Sequence, residues 1–121
     1  MEKHLTYLNP ETVEEVTDMM DGDTESLVDL IDTLMETTPE LMHELSTGVD
    51  QRDAVAIREA AHALKSSSAQ MGAQRFSDIC KEMEEKGKNG DVDSAISLFP
   101  SLQQEQGLML GAMNEWKNAI Q

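Results

Sequence analysis

Basic residues, cysteines and aromatics are all scarce in this chain, and each shortage removes a class of function. Nine lysines and arginines face 24 acids, a formal charge of −15. Nucleic acid, whose phosphates demand a basic face, is therefore not an expected partner. The single cysteine, Cys80, can form neither an internal disulfide nor a cysteine-based zinc site, so it reads as a small core residue. Aromatic residues amount to 3%, and no segment sustains the period-two alternation of a half-buried strand. No apolar run approaches the roughly 18 residues of a membrane span, and the first residues lack a secretory signal pattern. The expectation is a cytoplasmic protein without a membrane segment. What is present, 39% hydrophobic and 27% charged residues in a chain of 121, fits one globular domain over residues 1–121.

The apolar positions recur at helical spacing. Asn9 before Pro10 reads as an N-cap and first helical residue, opening a short acidic helix to about Met20. Asp21-Gly22-Asp23 breaks it, and Asp23 caps a second helix with Leu27, Leu30, Ile31, Leu34, Leu41, Met42 and Leu45 on one stripe. Pro39 is expected to kink or divide that helix, and Gly48 to end it. Asp50 is then expected to cap a third helix reaching about Met71, terminated by Gly72. A fourth carries Phe76, Ile79, Cys80 and Met83 up to the Gly87–Gly90 turn. Asp91 opens a last helix, bent early by Pro100 and bearing Leu102, Met109, Met113 and Trp116. The predicted fold is all-α, an up-and-down four-helix bundle with a short additional N-terminal helix. Nine methionines are read as its core filler.

Charge is unevenly spread. Arg52, Arg58, Lys65, Arg75, Lys81, Lys86 and Lys88 share residues 52–88 with six acids, so that segment is net +1 and the remainder −16. Either the middle of the chain meets something anionic, or its cations pair with acids of neighbouring helices.

Of the three histidines, His4 and His43 read as ordinary solvated residues. His62 differs by its neighbours. At about 100° per residue, Ala60, Leu64 and Met71 lie opposite it, whereas Val55, Arg58, Lys65, Ser66 and Ala69 fall within about 60° on the outward face. The tight turn at Gly72 makes the third and fourth helices antiparallel neighbours, which sets Glu84 level with His62. A carboxylate accepting from Nδ1–H fixes the tautomer and leaves Nε2 with its lone pair outward. It also favours the positive charge that develops when Nε2 bonds an electrophile. Lys65, one turn on, can balance an oxyanion.

The string Ala61-His62-Ala63-Leu64-Lys65-Ser66-Ser67-Ser68-Ala69-Gln70-Met71-Gly72-Ala73 resembles the H-x-L-K-G-S-S…G-A motif of histidine-containing phosphotransfer domains. Phe76, Cys80 and Glu84 are similar to that family's fourth helix. The resemblance implies a four-helix bundle whose His62 is phosphorylated at Nε2, with Lys65 and Glu84 assisting. The implied partners are receiver domains of a hybrid sensor kinase or response regulator, one donating from its aspartyl-phosphate and another accepting. The receiver would supply the divalent metal and most of the catalysis, so no cofactor or metal of its own is expected. Ser66 stands where the family usually has glycine, which bears on how closely a partner approaches. With no phosphate-binding glycine loop, the chain is expected to be a carrier without its own ATP site. Val55, Arg58, Ser66 and Ala69 are the expected docking surface, and a free-standing monomer the expected state. The competing readings are a non-phosphorylated adaptor on the same fold and a self-contained hydrolase or metalloenzyme. The adaptor would need none of His62, Lys65 and Glu84. The enzyme lacks a second histidine or a carboxylate cluster at ligand spacing.

Overall fold

The structure, a computed structural model, describes the backbone of residues 4–121 and the side chains of residues 6–121. Its helices are α1 (His4–Tyr7), α2 (Pro10–Met19), α3 (Thr24–Asp50), α4 (Ala54–Gln70), α5 (Gln74–Lys88) and α6 (Val92–Ile120). There is no strand among the described residues. Three-residue links join α3 to α4, α4 to α5 and α5 to α6, so successive helices run antiparallel. α3 packs on α4, α4 on α5, α5 on α6, and α6 closes the ring on α3, with α1 lying against α6. This is the up-and-down bundle expected from the sequence.

Short polar side chains start most of these helices. Asn9 Oδ1 accepts from the Glu11 amide at 2.9 Å, Asp23 Oδ1 from Ser26 at 3.0 Å and Asp91 Oδ1 from Ser94 at 3.2 Å. Each satisfies a donor that the first helical turn leaves orphaned, a contribution of about 1 kcal/mol. α5 has no side-chain cap and is reached through Gly72, whose φ of +80° turns the chain sharply. The Asn9 amide donates to the Gly72 carbonyl at 2.8 Å, which seats the N-terminal segment on the α4–α5 turn.

Several expectations fail, each for a local reason. α1 is an additional turn that a four-residue span gives too little periodicity to reveal. Of the two outcomes expected at Pro39, division does not occur: α3 runs on through it, as α6 runs on through Pro100. Both prolines are exposed, so the backbone carbonyl that each leaves without its usual donor is on the solvent side. Gly48 does not end α3, nor does Asp50 cap α4. The helix runs on to Asp50, the chain reverses through Arg52 at φ +53°, and Asp53 Oδ1 caps α4 by accepting from Ala56 at 3.1 Å. Gly48 is instead a packing position, where a Cβ would lie 3.2 Å from both Ala56 Cβ and the Ile57 amide nitrogen.

The core runs the length of the bundle. Ile31 and Leu45, Ile57 and Leu64, Phe76 and Met83, and Leu102 and Trp116 come in pairs from α3, α4, α5 and α6, all essentially solvent-free. Burying each such side chain contributes roughly 1.5–3 kcal/mol. Met42, Met71, Met83, Met109 and Met113 are core filler as expected, but Met19 is 77% exposed, and Met1 lies outside the described residues.

Candidate functional site

α4 positions the site by burying the residues on either side of it. Ala61 and Leu64 are fully buried, which turns His62 outward at mid-helix with its side chain 61% exposed. α5 brings up its partner: Met83 is fully buried, and Glu84, the next residue, reaches sideways to α4. Glu84 Oε2 lies 2.5 Å from His62 Nδ1, so Nδ1–H donates to it and Nε2 is the ring nitrogen left outward. The other carboxylate oxygen, Oε1, accepts from Lys65 Nζ at 2.5 Å. The sequence placed Lys65 toward an incoming oxyanion. The structure places it on Glu84, so one carboxylate bridges the imidazole and the ammonium.

That bridge sets the electrostatics. Glu84 is held below its ordinary carboxyl value, first by the hydrogen bond from Lys65, against the opposing effect of partial burial, and further by the bond from His62. It therefore stays ionised at neutral pH, as an anion facing the ring. Ser77 Oγ donates to the Lys65 carbonyl at 3.3 Å, a second tie between α5 and α4 just past His62. Cys80, one turn before Glu84, is fully buried, and burial pushes its thiol up to about 12, so it is an unreactive core residue.

The other candidates lie on the same outward face. Val55 is 56% exposed, and Arg58, Ser66 and Ala69 are exposed as well. An open groove between α3 and α4, floored by Ala56, Ala60 and Ala63 and flanked by Glu44 and Glu59, adjoins this face. His43 is exposed on α3, and the His4 side chain lies outside the described residues. The basic stretch is partly spent on structure: Arg52 pairs with Asp93, Lys65 with Glu84 and Arg75 with Glu105. Among the described residues no group of three or more His, Cys, Asp or Glu side chains is placed to hold a metal ion. None of their helices is long and apolar enough to cross a membrane.

One residue of the site escaped the sequence reading. Gly87 marked the end of α5 there, yet it is buried against α4, where a Cβ would come within 3.0 Å of the Ala54 carbonyl oxygen. Extending the antiparallel register that pairs His62 with Glu84 by one turn sets Arg58 opposite Gly87, and that was the available signal.

An exposed imidazole, oriented by a carboxylate through Nδ1 and open at Nε2, can act as a nucleophile toward an electrophile brought by another molecule. Among curated proteins no sequence matches the chain. Its fold is similar to the crystal structure of histidine-containing phosphotransfer protein B (HptB) from Pseudomonas aeruginosa PAO1. The TM-score is 0.86 at 24% identity, over 93% of this chain and 96% of that one. The family model for the Hpt domain matches residues 29–120, most of α3 and the whole of α4, α5 and α6. The chain therefore belongs to the Hpt domain family, the histidine phosphotransfer modules of phosphorelays.

Proposed function

We propose that Nε2 of His62 is the phosphoryl acceptor, taking the group from the aspartyl-phosphate of one receiver domain and passing it to the aspartate of another. The observation that carries this reading is the His62–Glu84 contact at 2.5 Å on a side chain 61% exposed. In the forward step the Nε2 lone pair attacks phosphorus, an N–P bond forms, and the acyl P–O bond breaks with the aspartate leaving as carboxylate. Because Nδ1 keeps its proton, the product ring is cationic, and the Glu84 anion stabilises it. Lys65, one turn from His62, neutralises Glu84 at rest and is close enough to turn to the phosphoryl oxygens after transfer. The return step reverses the bonds, with a receiver aspartate as nucleophile.

Docking is assigned to the face of Val55, Arg58, Ser66 and Ala69, whose small and apolar residues let a partner approach His62, with Arg58 supplying a cation for the receiver's acidic site. The phosphoryl group comes from a receiver and not from ATP, so the protein is a carrier. A cytoplasmic monomer belongs to the same proposal. The test is incubation with a phosphorylated receiver domain. Wild-type protein should take up acid-labile, alkali-stable phosphate, and His62→Gln should take up none. Binding without label in the wild type would instead make the protein an adaptor.

A further inference from the structure

Glu84 can reach His62 only where α4 and α5 come close, and one turn further along, at Gly87, they meet with no room for a side chain. This glycine is buried, and a Cβ there would stand 3.0 Å from the Ala54 carbonyl oxygen, 3.1 Å from the Arg58 amide nitrogen and 3.2 Å from Arg58 Cβ. Two of those atoms are helix backbone, which cannot rotate out of the way. Any side chain at position 87 must push the two helices apart.

We infer that Gly87 is a positioning residue for phosphotransfer: its missing side chain sets the α4–α5 separation that lets Glu84 hold the Nδ1 proton of His62. The inference rests on the role proposed for His62. The geometry passes the displacement on efficiently. At the other end α5 is pinned to α4, where the Ala73 amide donates to the Ser68 carbonyl at 3.0 Å. With that end as pivot, Gly87 lies 14 residues out and Glu84 11. At 1.5 Å per residue a shift at Gly87 is about four-fifths transmitted to Glu84. Restoring ordinary contact to a Cβ requires a few tenths of an ångström, which draws Glu84 back from both groups it meets at 2.5 Å. A site whose orienting group sits further off loses preorganisation; a displacement of about 1 Å slows group transfer about a hundredfold, and a few tenths slow it by a smaller factor.

A structural role alone predicts only lower stability, so the test needs a control of the same kind. Gly48 provides it: a Cβ there meets α4 from the opposite side, at 3.2 Å from Ala56 Cβ and the Ile57 amide nitrogen, without involving α5. The experiment compares wild type, Gly87→Ala and Gly48→Ala by thermal melt, by transfer rate from a phosphorylated receiver, and by ¹⁵N NMR of the His62 ring. Gly87→Ala should slow transfer by roughly three- to tenfold and shift the neutral ring away from the Nδ1–H tautomer. Gly48→Ala should lower the melting temperature comparably while leaving rate and tautomer as in wild type. Alanine is the better helix former, which offsets part of the strain and favours a folded Gly87→Ala. Adding Ala54→Gly, which loosens the first turn of α4 and lets its carbonyl tilt away, should recover part of the rate and of the tautomer. If Gly87→Ala alone does not fold, this double variant carries the comparison. Wild-type rate and tautomer in the folded Gly87 variant would overturn the inference. A wild-type protein that takes no phosphate overturns the role of His62 instead, and the tautomer measurement still decides the role of Gly87.

Discussion

Replacing Glu84 with alanine removes two contacts at once, the acceptor for His62 Nδ1–H and the counter-ion of Lys65, both made at 2.5 Å. A hydrogen bond to a charged group contributes about 1.5–3 kcal/mol. His62 is 61% exposed, so water takes over part of the lost interaction. The resting ring also has less to lose than the phosphorylated ring, whose positive charge faces the carboxylate directly. The difference left in the transition state is about 1.4 to 2.7 kcal/mol, a slowing of roughly ten- to a hundredfold. Glu84→Gln keeps a carbonyl for Nδ1–H but turns an amide toward Lys65 Nζ, so its loss should fall between wild type and alanine. Lys65→Ala should slow transfer in the same range, through loss of charge balance at the phosphoryl oxygens. Stability should change little. Glu84 and Lys65 are 20% and 30% exposed, and a pair so near the surface contributes about 1 kcal/mol or less. The assay is stopped-flow transfer from a phosphorylated receiver, with thermal melts in parallel. A Glu84→Ala rate within twofold of wild type would refute the orienting role.

The fold was legible where it depends on local chemistry. Asn9-Pro10, Asp23 and Asp91 announce helix starts because a short side-chain acceptor must meet an amide two or three residues on, and the structure has each bond. The α3–α4 turn was illegible for a matching reason. A glycine near a helix end suggests a stop, but whether Gly48 stops the helix or makes room for Ala56 depends on a helix that the local sequence does not show. The left-handed turn residue is Arg52, a type that gives no turn signal, so the sequence points to Asp50 as the cap in place of Asp53.

The site divides in the same way. The outward placement of His62 follows from helix period and the level of Glu84 from antiparallel register, both properties of the backbone alone. The Lys65–Glu84 bridge is set by side-chain torsions, because a lysine one turn from His62 reaches either an incoming phosphoryl group or the carboxylate already beside it. Attraction between full charges at close range selects the carboxylate in the resting protein. Nor does period give the distance between two helices. That distance is fixed by the smallest residues between them, so Gly87 acquires a role only once α4 is opposite it.

Three predictions bear on the surface and the charges of the site. Val55, 56% exposed on the face proposed for docking, should tolerate Val55→Glu with little change in melting temperature, while receiver binding weakens measurably by calorimetry. Unchanged affinity would place the interface elsewhere. Acid should destabilise the protein partly through Glu84. Its folded carboxyl lies below the ordinary 4.5, so its contribution is present above that pH and is lost as pH falls through the lower folded value. Asp23 and Asp91, also lowered, first by the side-chain hydrogen bonds of Ser26 and Ser94 and then by the backbone amides they cap, add to the same acid limb. Melts between about pH 6 and 3 should therefore fall less steeply for Glu84→Gln than for wild type, and identical profiles would remove the linkage. Ser66, finally, is exposed about 40° round α4 from His62, so its hydroxymethyl group meets the approaching partner. Ser66→Gly weakens the helix by roughly 0.5 kcal/mol on propensity yet lets a partner backbone come nearer to Nε2. The expected result is a slightly lower melting temperature with an equal or faster transfer rate. Ser66→Phe should leave the melt nearly unchanged and block transfer, because a ring at that position holds the donor phosphorus beyond in-line reach. Wild-type transfer by the phenylalanine variant would mean that the receiver does not approach across this face of α4.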